Sequence, residues 1–280
     1  MEKIESVSAM KAWAAGHLRA GRRVALVPTS GALHAGHAAL IAAAREQADV
    51  VVVSVFVNPL AFGPSENFSR YPRMPAHDLL FCQERKVDLV FAPAPEEMFP
   101  RGFSTYVTEE TVSKPLCGIS RPTHFRGVTT AMAKLISIVR PALLVMGQRD
   151  AQQVAVVRKM IADLHLDAEV RVVPTVREAD GLVVSIRNGD LTAGQRVEAA
   201  SLHGALLRAK EMVTQGVRSP DRIIAEATHL LGARRRIRII YISIVDSQTM
   251  ETLREVVPGR TLLALAAWID EVRLIDNIEL

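Results

Sequence analysis

His34 and His37 stand three residues apart, with Gly36 between them, in the run Val27-Pro28-Thr29-Ser30-Gly31-Ala32-Leu33-His34-Ala35-Gly36-His37. Spacing of three puts both imidazoles on one face of a helix. The run follows the apolar stretch Val24-Ala25-Leu26-Val27 and leads into an Ala-rich segment near 36–48, so it reads as a βα turn opening a helix. A helix start presents unsatisfied backbone N–H groups and the positive end of the dipole, which suits a phosphate. Gly36 lets a flat ligand approach the backbone. The pair could also be ordinary polar residues at a helix start; the strand, the P-T-S-G turn and the glycine favour nucleotide binding.

Further polar clusters recur down the chain. Asn58-Pro59-Leu60-Ala61-Phe62 lines a pocket or forms a plain turn, and His124-Phe125-Arg126-Gly127 holds an anion or caps a helix. In Gly147-Gln148-Arg149-Asp150-Ala151-Gln152-Gln153, Asp150 can accept from ribose hydroxyls and Arg149 can pair with phosphates. Gln153 can point one turn along towards a substrate, although Asp150 as a simple N-cap explains the same run. Ser185-Ile186-Arg187-Asn188-Gly189 offers a hydroxyl and a guanidinium in a turn. No serine or cysteine is marked as partner to His34 or His37, and neither G-x-G-x-x-G nor a Walker lysine loop occurs. Triad hydrolases, dinucleotide oxidoreductases and P-loop NTPases are thereby disfavoured.

Strands alternating with helices must position these groups. Helices are expected over 6–20, 36–48, 76–86, 128–139 and 150–163, and strands over 24–27, 50–57, 87–91, 143–146 and 169–173, with a short strand at Ser104–Val107. That alternation predicts a parallel α/β sheet, and the near-continuous β-branched run Val50–Val57 predicts a strand covered on both faces. Ligands of such sheets bind beyond the carboxyl ends of the strands. The loops at 28–37, 58–62 and 147–153 all fall there. Beyond Pro174 come helices at 192–215 and 219–231 and strand-like runs at 237–244, 261–267 and 271–275, predicting a small antiparallel sheet. The division expected is 1–176 and 177–280.

The chain has 280 residues, 49% apolar and 23% charged, with a net charge of +4, an ordinary globular balance that argues weakly for nucleic acid. Arg234-Arg235-Arg236 reads as a solvated helix end. No long uncharged apolar run predicts a membrane span, the N-terminus lacks the layout of a secretion signal, and Cys82 and Cys117 read as reduced thiols, so a cytoplasmic protein is expected.

The motifs P-T-S-G-A-L-H-A-G-H, F-V-N-P-L-A-F, Y-P-R, S-R-P-T-H-F-R-G-V, G-Q-R-D-A-Q-Q, S-I-R-N and A-A-W-I-D-E-V-R-L-I-D-N, in order over the whole length, closely resemble the pantoate–β-alanine ligase family. The resemblance implies a Rossmann-like domain of the HIGH-motif nucleotidyltransferases, a smaller C-terminal lid, a homodimer, and ATP with Mg2+. It implies a two-step reaction: pantoate and ATP give an acyl-adenylate, which β-alanine opens to pantothenate and AMP. It places His34 and His37 on the phosphates, with His37 as proton donor, and Gly147 and Asp150 at the ribose. Val176 falls beside the adenine, and Ser185 and Arg187 at the phosphates. Ser30, Gly31, Gly36, Gln148, Arg149, Val184 and Ile186 complete the implied ATP site, and Arg149 and Arg187 join the histidines as the implied catalytic set. Gln153, Asn58 and Ala61 mark the acid-substrate pocket.

Some positions depart from the family pattern. Ser30 stands for a methionine, Ala61 for a glutamine, Arg149 for a lysine and Ile186 for a serine, while His77-Asp78 stands for an acidic pair after Y-P-R, leaving the metal ligands unassigned. Arg149 keeps the charge but exchanges a point cation for a planar fork. Two further readings follow: a paralogue that adenylates another acid or uses another amine, and a non-catalytic nucleotide-binding protein.

Overall fold

The computed structural model describes residues 1–63 and 68–280. Six parallel strands form the main sheet: β1 (Glu2–Ile4), β2 (Val24–Thr29), β3 (Val50–Val55), β4 (Leu89–Phe91), β5 (Leu143–Gly147) and β6 (Glu169–Val173), in the order β1-β4-β3-β2-β5-β6. Helices α1 (Val7–Arg19), α2 (Ala35–Gln47), α3 (Pro75–Glu84), the short α4 (Pro95–Met98) and α5 (Cys117–Ser120), α6 (His124–Val139) and α7 (Ala151–Asp163) accompany it. The central strands are apolar along their length because both faces are covered. Leu26, Val52, Leu89 and Leu144 pack on one side, and Ala25, Val27, Val51 and Val145 on the other.

Strand order reverses at β2, which has β3 on one flank and β5 on the other. The crevice at the carboxyl ends of β2 and β5 is thus the switch point where an open α/β sheet receives a ligand. Pairing of β2 with β5 is recorded at Ala25↔Leu143 and Leu26↔Leu144. Beyond it stands Pro28, which has no N–H to donate.

Helices α8 (Ala193–Ala199), α9 (Ser201–Thr214) and α10 (Pro220–Gly232) lead to the antiparallel sheet of β7 (Ile237–Asp246), β8 (Thr261–Ile269) and β9 (Val272–Glu279). Leu202, Leu206, Ile223, Leu263 and Leu274 build its own core. Val245, Met250, Leu262 and Ala264 belong instead to the core under the main sheet. The expected junction at 176/177 falls inside a tight hairpin: the Val184 amide donates to the Val176 carbonyl at 3.0 Å, and Arg177 bridges to Val183.

Two local expectations are corrected. Ser104–Val107 is not a strand: the Val107 amide donates to Thr130 Oγ1 at 3.1 Å, and the Val107 carbonyl accepts from Thr129 Oγ1 at 2.7 Å, so α6 side chains replace a ladder. The segment 192–215 is two helices rather than one. Arg234, Arg235 and Arg236 are exposed just beyond the end of α10, as expected, and Arg236 pairs there with Asp270 at 2.9 Å. Among the described residues no helix is long and apolar enough to cross a membrane.

Candidate functional site

The turn after β2 is built by its own polar atoms and by one distant carboxylate. Thr29 Oγ1 donates to the Ser54 carbonyl at 2.8 Å and accepts from the Gly31 amide at 3.2 Å. Gly31 and Ala32 both take left-handed backbone, at φ of 77° and 52°. Asp78 of α3 is 2% exposed and accepts from the amides of Ala32 at 2.9 Å and Leu33 at 2.8 Å. A Cβ at position 31 would stand 2.9 Å from Asp78 Oδ2, so only glycine fits there. Asp78 is therefore a buried clasp for the turn.

The clasped turn delivers the two imidazoles. His34 caps α2, and its Nδ1 accepts from the Gly36 amide at 3.2 Å; the His34 amide in turn donates to His37 Nδ1 at 3.1 Å. Both Nδ1 atoms are acceptors, so each neutral ring carries its proton on Nε2. The ring centroids lie 4.1 Å apart. Burial, then the Arg149 charge, lowers the His34 pKa to about 4. Burial, then His34 and Arg149, lowers that of His37 to about 3. At neutral pH the pair thus offers two uncharged donors. A Cβ at position 36 would lie 3.0 Å from His34 Cε1, so the space Gly36 provides is filled by the capping ring rather than left for a ligand.

The facing wall comes from the end of β5. Asp150 occupies the N-cap position of α7 without making the side-chain capping bond, which removes the simple capping account and leaves its carboxylate for a ligand. Arg149 Nε is buried and has no hydrogen-bond partner, the condition of a donor awaiting an anion. Asn277 of β9 holds this turn: its Nδ2 donates to the carbonyls of Gln148 at 3.0 Å and Arg149 at 2.9 Å, and its Oδ1 accepts from Gln148 Nε2 at 3.4 Å. A Cβ at Gly147 would meet only Leu40, at 4.0 Å.

Tyr71 joins the two walls. Its hydroxyl hydrogen-bonds Ser30 and lies in the fields of Arg187, Arg149 and Asp150, while burial pushes its pKa up and keeps it protonated. His34, His37, Tyr71, Arg149, Asp150 and Arg187 therefore share one electrostatic neighbourhood. Ser185 Oγ accepts from the Arg187 amide at 3.3 Å and starts the turn Ile186–Asp190 that carries Arg187. Val176 and Val184, paired in the hairpin above, are half-buried.

Beyond the end of β3, Asn58 is spent on structure. Its Nδ2 donates to the Gly127 carbonyl at 2.9 Å and its Oδ1 accepts from the Leu60 amide at 3.1 Å. Ala61 presents only a methyl group, and its carbonyl contacts His124 Nδ1 at 2.9 Å and Arg121 Nη2 at 3.1 Å. A Cβ on Gly127 would come within 2.2 Å of the Leu60 oxygen, so α6 can approach this wall only with glycine there. Gln153 lines a cleft of about 510 Å³, open mouth included, together with His124, Asp150 and Arg273. Its neighbour Gln152 is buried and ties down the 112–117 loop through Val112, Pro115 and Cys117.

Tyr71, Asp78 and Asn277 were missed as site residues. Tyr71 and Asp78 stand in or just after Y-P-R, and Asn277 in the late L-I-D-N; those motifs were the available signal. Among the described residues no group of three or more ligating side chains could hold a metal. A triphosphate complex needs no such cage, because Mg2+ takes phosphate oxygens, waters and one or two carboxylates, and Asp150 is the uncapped carboxylate here.

Residues 2–279 match the family described as pantoate-beta-alanine ligase. Pantothenate synthetase of Moorella thermoacetica is 46% identical over 280 residues, covering 100% of this chain and 99% of that one. The protein of that name from Geobacter sulfurreducens is 45% identical over 277 residues, covering 99% of this chain and 98% of its own. The crystal structure of pantothenate synthetase from Thermus thermophilus superposes with a TM-score of 0.93 at 41% identity, covering 100% of this chain and 99% of that one. The Francisella tularensis pantoate-beta-alanine ligase, complexed with beta-gamma ATP and beta-alanine, gives 0.82 at 28% identity, covering 100% and 97%. With the clasped histidine turn, the Arg149-Asp150 wall and these full-length matches in agreement, the chain belongs to the pantoate–β-alanine ligase family.

Proposed function

We propose that this chain is an AMP-forming ligase that joins (R)-pantoate to β-alanine, and that His34, His37, Arg149 and Arg187 gather the triphosphate of ATP. The observation that carries this reading is the pair of backbone-locked imidazoles, neutral and with Nε2–H as donor, facing an arginine whose Nε lacks a partner. In the first step a pantoate carboxylate oxygen bonds to the α-phosphorus, and the bond to the bridging oxygen breaks as pyrophosphate leaves. Such a transfer needs positioning and charge stabilisation rather than a protein nucleophile. The imidazole donors and the two guanidiniums supply that, and Asp150 positions the ribose. In the second step the neutral amine of β-alanine bonds to the acyl carbon, the bond to AMP breaks, and the nitrogen gives up a proton to solvent.

Magnesium arrives as the ATP complex. The hairpin at 176–184 divides an ATP- and acid-binding part, 1–176, from a smaller lid, 177–280, and the working form is a cytoplasmic homodimer; sedimentation of the purified chain checks the dimer. Incubation with ATP and a panel of carboxylic acids tests the activity. Pantoate-dependent pyrophosphate release is expected, with a loss of at least about a hundredfold in His37→Ala. Release with no acid in the panel would refute it. One observation favours a second reading, an enzyme for a different acid: position 61 offers a methyl group where a hydroxylated acid would find an amide. Stronger release with another acid than with pantoate would establish that reading.

A further inference from the structure

The amine partner in this ligase reading carries a carboxylate of its own. Unless a cation apart from the phosphate-binding set neutralises that carboxylate, the cations left by the departing pyrophosphate attract it and turn the amine away from the acyl carbon. The cleft holding Gln153 and Asp150 continues to Arg273, which projects from β9 of the C-terminal sheet. Of the other guanidiniums nearby, Arg177 grips Asp276 through bonds of 2.7 and 2.8 Å and Arg149 is read onto the phosphates, while Arg121, on the same cleft, gives its Nη2 to the Ala61 carbonyl.

Arg273 is half-buried, and its Nη2 donates to Cys117 Sγ at 3.4 Å. Among the described residues it forms no ion pair with any carboxylate. A thiol is a weak acceptor, so most of the charge and donor capacity of the guanidinium is left unanswered in a partly dry site. Tyr241 Oη lies 3.2 Å from the same sulfur, and burial, with Cys117 beside it, raises its pKa so that the hydroxyl keeps its proton. Leu116, Phe125 and Leu262 complete the wall with apolar surface, which strengthens any charge pairing made there.

We propose that Arg273, with the Tyr241 hydroxyl beside it, binds the carboxylate of the amine substrate, so that the enzyme selects amines bearing a carboxylate. This rests on the ligase reading above and adds to it the residue that chooses the second substrate.

The test compares β-alanine with 3-aminopropanamide, the neutral amide of the same length, in the wild-type enzyme, Arg273→Met and Arg273→Lys. KM for β-alanine is expected to rise about tenfold to a hundredfold in Arg273→Met and by less in Arg273→Lys, with KM for ATP moving far less. In Arg273→Met the preference for β-alanine over the amide should collapse towards one. An unchanged KM for β-alanine and an unchanged preference in Arg273→Met would overturn the proposal. If Arg273→Met fails to fold, Arg273→Gln, which also removes the charge, decides by the same two readings. Absence of acid-dependent pyrophosphate exchange in the wild-type enzyme would instead overturn the ligase reading itself.

Discussion

At the scale of single residues, the site works through hydrogen-bond direction. The Gly36 and His34 amides each donate to an imidazole Nδ1, so neither ring needs a charge to present a donor. Two imidazoliums beside Arg149 would repel one another, and burial already opposes them. Position 61 is the weak point for pantoate. A hydroxyl enclosed without its partner costs about 1–3 kcal/mol, about tenfold to a hundredfold in affinity. Ala61→Gln is therefore expected to raise kcat/KM for pantoate by about tenfold; a lower value together with faster turnover of another acid would identify that acid as the substrate. His34, His37 and Asp150 were legible because their motif sits at a strand end, which is a local pattern. Asp78 and Asn277 were not, since they act on backbone 45 and 128 residues away, and local periodicity carries no trace of such pairings.

At the scale of elements, the turn after β5 is held by the C-terminal sheet as much as by its own strand. Both Nδ2 hydrogens of Asn277 are used on the carbonyls of Gln148 and Arg149. Donor chemistry orders the variants: Asn277→Ala leaves two carbonyls unpaired, and Asn277→Asp sets a carboxylate against them. The expected order of kcat loss is thus Asp worse than Ala, with a drop of about tenfold or more for Ala. Equal activity of all three forms would show that the clamp does not hold the turn. The main strands were legible because a fully covered parallel strand is a continuous apolar run, as in Val50–Val55. The edge strand Glu2–Ile4 was not, being three residues long with two of them exposed. Ser104–Val107 carries strand-like residues, but the hydrogen bonds of Val107 go to threonines of α6, a tertiary choice that overrides propensity.

At the scale of the whole molecule, the buried imidazoles tie stability to pH. Their pKa values fall from 6.5 to about 4 and about 3 on folding, so between those limits the unfolded chain binds more protons than the folded one. Stability from this source is full above pH 6.5 and is lost progressively as pH falls towards 3. Urea titrations from pH 7.5 to 4 should show a shallower acid loss in a His34→Gln, His37→Gln double variant than in the wild-type protein. Parallel curves would mean that the rings are not buried neutral.

The two sheets share a core through Val245, Leu262 and Ala264, and Asn277 of β9 holds the turn after β5. Both parts of the chain therefore shape one reaction centre, and the claim that this centre makes an acyl-adenylate has a direct test. Exchange of labelled pyrophosphate into ATP, measured without any amine, should require pantoate or the true acid and disappear in His37→Ala. Exchange that proceeds without an acid, or that no acid supports, would contradict it.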